Sequence, residues 1–407
     1  MRVLLLTQWF DPEPVPKGLV FARELMRQGC EVEVVTGFPN YPGGKLYPGY
    51  RVRAIQREEI DGVRITRVPL YPSHDSSAIR RIANYLSFSA SLLFYTLFGA
   101  RRADVIYAYH PPLTVGVAAG IVRLLRRIPV VYDIQDMWPD SLRASGMLGN
   151  EKILAVVERV CQWVYRTVDK IVVLSPGFRN LLTSRGVDER KIEVIYNWCD
   201  ESSIFNAAEI GERTSILPEG FNILFAGTMG KGQGLASVLR AAEIVRDMAP
   251  KIRFVFLGSG TECELLKEQA QSSGLENVLF LPRVPMAEVG AVLQAADALL
   301  VHLKDDELYH ITIPSKTQAY MAAGKPVLMA VSGDAADLVN VAGCGLTALS
   351  ENPDSIAEAA MALAKMSSSE LAAMGKAGRD YYWRELSLSA GVARFKRIFS
   401  GIARDRR

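Results

Sequence analysis

Paired cysteines, metal-binding patterns and net charge are all scarce in this chain, and each scarcity excludes a class of protein. The five cysteines, Cys30, Cys161, Cys199, Cys263 and Cys344, are odd in number, widely spread and without a CxxC pair. That usage excludes a disulfide framework and a cysteine zinc site, and it predicts reduced thiols in a cytoplasmic protein. No HExxH, no DxD and no His/Cys ligand spacing occurs, so neither a metal site nor a cofactor is expected. A net charge of only +3 over 407 residues argues against nucleic acid as a partner. It remains compatible with an anionic substrate or a membrane surface. No signal peptide is expected either: MRVLLLTQWF is a short apolar run ending in a Pro-rich loop, which reads as a first buried strand.

What is present is a globular composition, 49% hydrophobic and 22% charged, in a chain long enough for two domains. The first half alternates strand-like runs (Arg2–Thr7, Glu31–Thr36, Val63–Val68, Asp104–Ala108, Val130–Asp133, Lys170–Leu174, Lys191–Ile195) with helical patterns such as Leu19–Gln28 and Lys152–Thr167. Near-continuous apolar runs are expected of strands covered on both faces. Around residues 201–221 the periodicity lapses, which reads as a linker between a domain over 1–200 and a second over 222–384. The second domain repeats the alternation, with strands at Asn222–Ala226, Ile252–Leu257, Val278–Leu281, Ala298–Leu303 and Pro326–Met329. Helices are expected at Gly234–Met248, Glu262–Ser272, Met286–Ala295 and Ser315–Ala323. The expected fold is therefore α/β, two doubly wound parallel-sheet domains in tandem, with ligands beyond the carboxyl ends of the strands and a cleft shared between the domains.

Ile82–Ala100 stands apart. It has no charge over 19 residues and is flanked by Arg80-Arg81 and Arg101-Arg102. Its length approaches a membrane span, but Asn84, Ser87, Ser89, Ser91 and Thr96 dilute it. A buried domain helix, an interfacial helix and a span are all compatible with it, and the arginines at both ends suit anionic headgroups.

The remaining signals sit where strands end. Tyr309–Ala330 carries His310 and Thr312 into Pro314-Ser315-Lys316, where a helix begins; Gly324 ends it. A helix N-terminus offers unpaired N–H groups to an anion, and Lys316 adds a charge that repels the helix dipole. That placement points to an anionic ligand, or else to an ordinary α/β connection with a surface lysine. Gly227 to Gly234, with Thr228, Gly230, Lys231 and Gln233, forms either an anion-binding turn or a flexible one, and it lacks the Walker A spacing. Gly258-Ser259-Gly260 resembles part of a dinucleotide fingerprint, but Cys263 replaces the third glycine and no acidic residue ends the next strand, Phe280-Leu281-Pro282-Arg283. Arg283 places a cation at another strand end, suited to phosphate or to a surface ion pair. In the first half Gly18 opens a helix. His110, Asp133, Asp136 and Asp140 converge on two strand-end loops, where structural histidines and helix-capping aspartates are the competing readings.

Together these segments resemble the retaining glycosyltransferases of family 4. The resemblance rests on VLLLTQWFDPEP, YAYHPP, VVYDIQDMWPDSL, NILFAGTMGKGQGL, FVFLGSGTE, LPRVP and IPSKTQAYMAAGKPV, which span nearly the whole chain. GFPNYPGGKLYPGY and LYPSHDSSAIRRIANYLSFS narrow it to a branch with O-antigen and exopolysaccharide N-acetylfucosaminyl- and fucosyltransferases. The resemblance implies the GT-B fold and a UDP- or GDP-linked sugar donor held mainly by the second domain. It also implies a lipid-linked saccharide acceptor held by the first, metal-independent transfer with retention, and a peripheral place on the inner face of a bacterial membrane. It assigns His110, Asp133, Asp136 and Lys316 to the reacting end. To the donor it assigns Gly18, Thr228, Gly230, Lys231, Gln233, Gly258, Arg283, Thr312, Ser315, Lys316 and Gln318. A C-terminal helix over 385–407 is expected to pack back on the first domain.

The chain departs from that family at two places. Thr228 and Gln233 stand where the family carries Arg and Lys. Its paired glutamates fall at Ile311 and Ala319, which leaves Gln318 as the candidate for the ribose. A nucleotide-sugar epimerase or hydrolase on the same fold, or a non-catalytic nucleotide-sugar-binding module, are the alternative functions.

Overall fold

The computed structural model describes residues 1–73, 77–144, 150–205 and 217–404. It divides into two units, one of residues 1–196 with 391–407 and one of residues 197–390.

The first unit is built on an eight-stranded sheet in the order β3-β4-β2-β1-β5-β6-β7-β8. The strands are β1 Arg2–Leu6, β2 Glu31–Thr36, β3 Gln56–Ile60, β4 Val63–Arg67, β5 Val105–Tyr109, β6 Val130–Asp133, β7 Lys170–Val173 and β8 Ile192–Val194. All neighbours are parallel except β3 and β4. Central strands β1 and β5 are almost wholly buried, as their unbroken apolar sequences require.

Strand β3 was not expected, because QREEI is charged and only half buried. Its signal is Asp61-Gly62, where both residues have positive φ (49° and 80°). Such a two-residue turn closes a hairpin whose twist matches its strands. The strand then supplies Glu58, which accepts from the fully buried Arg67 at 2.6 Å. Arg67 also donates to the carbonyls of Gly37 and Asp11, so it ties the end of β4 to two strand-end loops.

The second unit has a six-stranded, all-parallel sheet in the order β11-β10-β9-β12-β13-β14. These strands are β9 Phe221–Thr228, β10 Ile252–Ser259, β11 Val278–Leu281, β12 Ala298–His302, β13 Val327–Ala330 and β14 Gly345–Thr347. Ile223, Phe225, Phe254, Phe256, Leu300 and Leu328 join helix residues such as Val238, Ala241, Val245 and Ile356 in one core. The expected doubly wound α/β architecture is present in both units.

The expected linker is partly helical: Glu201–Phe205 forms a helix within the second unit, and residues 206–216 lie outside the described ones. The chain returns to the first unit in the helix Leu388–Arg404. There the buried Phe395 packs edge-on against Phe21 (5.3 Å) and Tyr107 (5.6 Å). Truncating a fully buried phenylalanine forfeits its transfer free energy and leaves a cavity. Phe395→Ala is expected to destabilise the first unit by about 3–5 kcal/mol, read as a lower denaturation midpoint with the second unit's transition unmoved.

Candidate functional site

In the second unit, β9 and β10 run two residues further than the sequence pattern marks, so that Gly227 and Gly258 are register partners. Both have φ well into the positive range (134° and 138°). A Cβ on Gly258 would lie 2.1 Å from the Gly227 carbonyl oxygen. Gly258 is therefore required as glycine where two strand ends meet.

On the other side of Gly227 lies Lys316. A Cβ at 227 would sit 2.8 Å from its Cε and 3.0 Å from its Nζ. The ammonium rests 4.0 Å from the centroid of the Phe225 ring. Alternation along β9 puts residues 225 and 227 on one face, so strand and helix converge on this cation. An aromatic face attracts a cation but does not neutralise it. Among the described residues no carboxylate pairs with Lys316. Burial lowers its pKa to about 8. The helix Ser315–Ala323 begins at Pro314 without a side-chain cap, leaving first-turn N–H groups beside the same charge. Ser315 is exposed there.

The other donor candidates divide. Thr228 and Lys231 are exposed near the end of β9. Gly230 and Gln233 close the turn on themselves: Gly230 N–H donates to Gln233 Oε1 at 3.0 Å, so that oxygen is engaged within the chain. The Thr312 hydroxyl donates to the Leu308 carbonyl at 2.7 Å. Gln318 is buried, and its amide nitrogen donates to the Pro314 and Ser315 carbonyls at 2.9 and 3.1 Å. Its donors are spent on the first helical turn, which leaves its amide oxygen as the group it could offer to a ribose hydroxyl. Arg283 is exposed after β11 with no ion pair among the described residues. Since β11 lies two strands from β9, its base is about 10 Å from the Lys316 corner.

In the first unit the structure reassigns three residues. Asp133, expected to meet substrate hydroxyls, is completely buried. Its Oδ2 accepts from Lys17 Nζ and from the Tyr107 hydroxyl, both at 2.5 Å, and its Oδ1 accepts from Gln135 at 2.7 Å. Lys17, equally buried, also lies 5.0 Å from the Phe395 ring. Burial pushes the Lys17 pKa down while Asp133 opposes that. Asp133 is thus a positioning residue that holds the 11–18 loop.

Gly18 opens the helix Leu19–Arg27, but the anion at that N-terminus is the chain's own: Asp11 Oδ2 accepts from Leu19 N–H at 2.6 Å. A Cβ on Gly18 would strike that oxygen, so glycine is needed for the cap and not for a donor.

His110, at the end of β5, is only 2% exposed. Its ring stands edge-on to Tyr132 and Trp138 at 5.9 and 5.3 Å. Burial lowers its pKa to about 3, and its Nδ1 has no hydrogen-bond partner among the described residues. It is neutral at physiological pH and cannot serve there as a charged acid. Asp136, three residues after Asp133 in the loop that follows β6, is exposed, although burial by neighbouring protein raises its pKa. Asp140 is paired with Arg185.

Sequence reasoning missed Lys17, Tyr107 and Phe225. It also missed Glu13, whose buried carboxylate accepts the N–H groups of Phe10, Asn40 and Tyr41 at 2.8–2.9 Å. Phe225 was findable, since it lies two positions before the strand-end glycine.

Two expectations follow. Lys17→Met strands a buried carboxylate and is expected to cost about 3–5 kcal/mol, with Lys17→Met/Asp133→Leu recovering most of it in denaturant titrations. His110 in the folded chain binds its proton far below the unfolded value, so its contribution to stability is present above pH 6.5 and is lost as pH falls from 6.5 towards 3. Melting curves of the protein and of His110→Asn should converge over that window as the pH is lowered.

Comparison with known proteins agrees with this geometry. Residues 19–198 match the model of the glycosyl transferase 4-like domain, and residues 208–381 that of the glycosyl transferases group 1. The chain is 29% identical over 337 residues to a putative colanic acid biosynthesis glycosyl transferase, WcaI of Escherichia coli K12, covering 80% of this chain and 82% of that protein. It is 26% identical over 264 residues to a probable glycosyltransferase, WbjE of Pseudomonas aeruginosa, covering 63% of this chain and 65% of that one. In structure it is similar to Anabaena HepE in complex with UDP (TM-score 0.70, 16% identity, 98% of this chain and 100% of that one). It is also similar to sucrose-phosphate synthase from Thermosynechococcus elongatus (TM-score 0.73, 15% identity, 98% of both chains).

Proposed function

The chain belongs to the glycosyltransferases of the GT-B fold, and we propose that it transfers a sugar from a nucleotide-diphosphate donor to a lipid-linked saccharide in bacterial surface-glycan synthesis. The observation that carries this reading is Lys316: a partly desolvated ammonium, seated on Phe225 and Gly227 at an uncapped helix N-terminus, with no carboxylate among the described residues paired to it. A diphosphate supplies the missing charge. Structural neighbours solved in complex with UDP and with UDP-glucose support a nucleotide-sugar donor, and the relative named for colanic acid biosynthesis supports the pathway class.

In the proposed reaction the anomeric C–O bond to the diphosphate breaks as the acceptor oxygen bonds to the same carbon, with retention. Charge builds on the leaving diphosphate, where Lys316 and the first N–H groups of its helix stabilise it. Lys231 and Arg283 extend that positive rim, and the exposed Thr228 hydroxyl adds a neutral hydrogen-bond donor. The acceptor proton passes to a departing phosphate oxygen, so no protein base is required, and neutral His110 is consistent with that. No metal takes part in this scheme. The sugar we favour is a deoxy- or amino sugar such as N-acetyl-L-fucosamine, on the strength of the GFPNYPGGKLYPGY resemblance, and the place of action is the cytoplasmic face of the inner membrane.

The test begins with thermal shifts in a panel of UDP-, GDP- and dTDP-sugars, since a ligand that binds the folded state raises apparent stability. Lys316→Ala is expected to weaken binding of the responding donor by roughly 10- to 150-fold, the range of a charged hydrogen bond. A diphosphate raises the Lys316 pKa, so binding takes up a proton above about pH 8. Affinity should be level below that pH and fall above it, and the variant should lack the fall. Unchanged affinity in Lys316→Ala would remove Lys316 from the site. Turnover of donor without any acceptor would replace transfer by epimerisation or hydrolysis.

A further inference from the structure

The uncharged segment forms the helix Ala78–Phe98, and its outward face is apolar. Ile79, Ile82, Leu86, Phe94 and Phe98 recur three or four residues apart or at multiples of that spacing, and all are exposed (80, 50, 57, 68 and 75%). The Phe94 and Phe98 rings lie 5.1 Å apart. The opposite face is buried through Asn84, Phe88, Leu92, Tyr95 and Thr96. One stripe of the helix is therefore folded into the unit, while an equally apolar stripe faces outward. Water is a costly surrounding for such a stripe.

Charge says what covers it. Between Ser77 and Pro129 the sequence has seven arginines, no lysine and one acidic residue, Asp104. That aspartate is already bonded to Arg2 N–H. Arg80, Arg101, Arg102 and Arg127 are exposed around the helix ends. Arg126, on the adjoining helix Leu113–Arg126, donates to the carbonyls of Thr96 and Ala100, which brings the exposed Leu125 towards the same end. An apolar stripe ringed by arginine and nearly free of acid matches an anionic lipid surface. No helix among the described residues is long and apolar enough to cross a membrane.

We propose that this helix lies in the interface of an anionic bilayer with Ile79, Leu86, Phe94 and Phe98 in the acyl boundary and the arginines at the headgroups. The same helix is fastened to the strand-end loops from its inner side. Asn84 accepts from Gln8, which follows β1, and donates to the carbonyl of Tyr71 at 2.6 Å and to Asn40 at 3.5 Å. Docking the helix thus places the loops after β1 and β2 at a fixed distance from the lipid. This inference rests on the reading that the acceptor is lipid-linked, and it gives that acceptor a route to the first unit.

The experiment is flotation of the full chain with vesicles of phosphatidylethanolamine containing roughly 30% phosphatidylglycerol, against phosphatidylcholine vesicles. Binding to the anionic vesicles, weakened by high salt, is expected. Phe94→Ser/Phe98→Ser should lower partitioning roughly tenfold or more, and Arg101→Gln/Arg102→Gln roughly fivefold per arginine. These side chains are exposed, so melting temperature should hold. Donor-induced thermal shifts should also be unchanged in the variants, which separates failure of this surface from failure of the glycosyltransferase reading. The proposal is overturned if the wild type does not float with anionic vesicles or if the phenylalanine variant floats as well as it. It is overturned equally if that variant converts a vesicle-free dimer into a monomer, which would make the face a contact between two copies.

Discussion

A lysine ammonium taken out of water must meet an opposite charge, and the two units treat that requirement in opposite ways. In the first, Lys17 is sealed from solvent against Asp133, with Tyr107 and Gln135 satisfying the rest of the carboxylate. The pair is complete, and what it fixes is structure: a loop, a strand end and the returning helix that carries Phe395. In the second, Lys316 has an aromatic ring beneath it and helix N–H groups beside it. Among the described residues no carboxylate pairs with it. The unpaired cation is stable because its desolvation is partial, and it is poised because that desolvation is not offset.

The same accounting orders the other ionisable groups. Asp11 satisfies the helix that begins after Gly18, so the N-terminus that looked open in sequence is closed by its own chain. Glu13 gathers three N–H groups from neighbouring loops. His110 is held neutral by burial alone. Once these local requirements are met, the one exposed acid among the described residues that follow β5 and β6 directly is Asp136. On the proposed reading, the leaving group then handles the proton and the first unit positions the acceptor.

Much of this was legible in the sequence, and the boundary of legibility has a physical basis. Continuous apolar runs identified the central strands of both sheets within one or two residues, because burial on both faces leaves no room for polar side chains. Strand β3 escaped, since an edge strand may be charged on both faces; only its Asp61-Gly62 turn announced it. The joining of the β9 end to the Ser315 helix was readable as two strand-end loops of one sheet, but Phe225 as the seat of Lys316 depends on which face of β9 meets the helix. Asp133 was misread for a physical reason. A sequence shows that a polar side chain exists near a strand or helix end, and it does not show whether the chain itself has already consumed its hydrogen bonds.

The departure from the family at residues 311 and 319 gains meaning from this. Residue 319 lies three positions after Lys316, one helical turn on, where side chains at that spacing are neighbours. A glutamate there would stand close enough to pair with the ammonium in the empty site, so that a diphosphate would have to compete with it. Alanine removes that internal competitor and leaves the full charge of Lys316 directed at the ligand. It also removes an acceptor that could serve ribose hydroxyls. On the proposed reading, the exchange shifts recognition from the sugar ring of the nucleoside towards its phosphates, for which Lys231, Arg283 and Lys316 supply the strand-end cations.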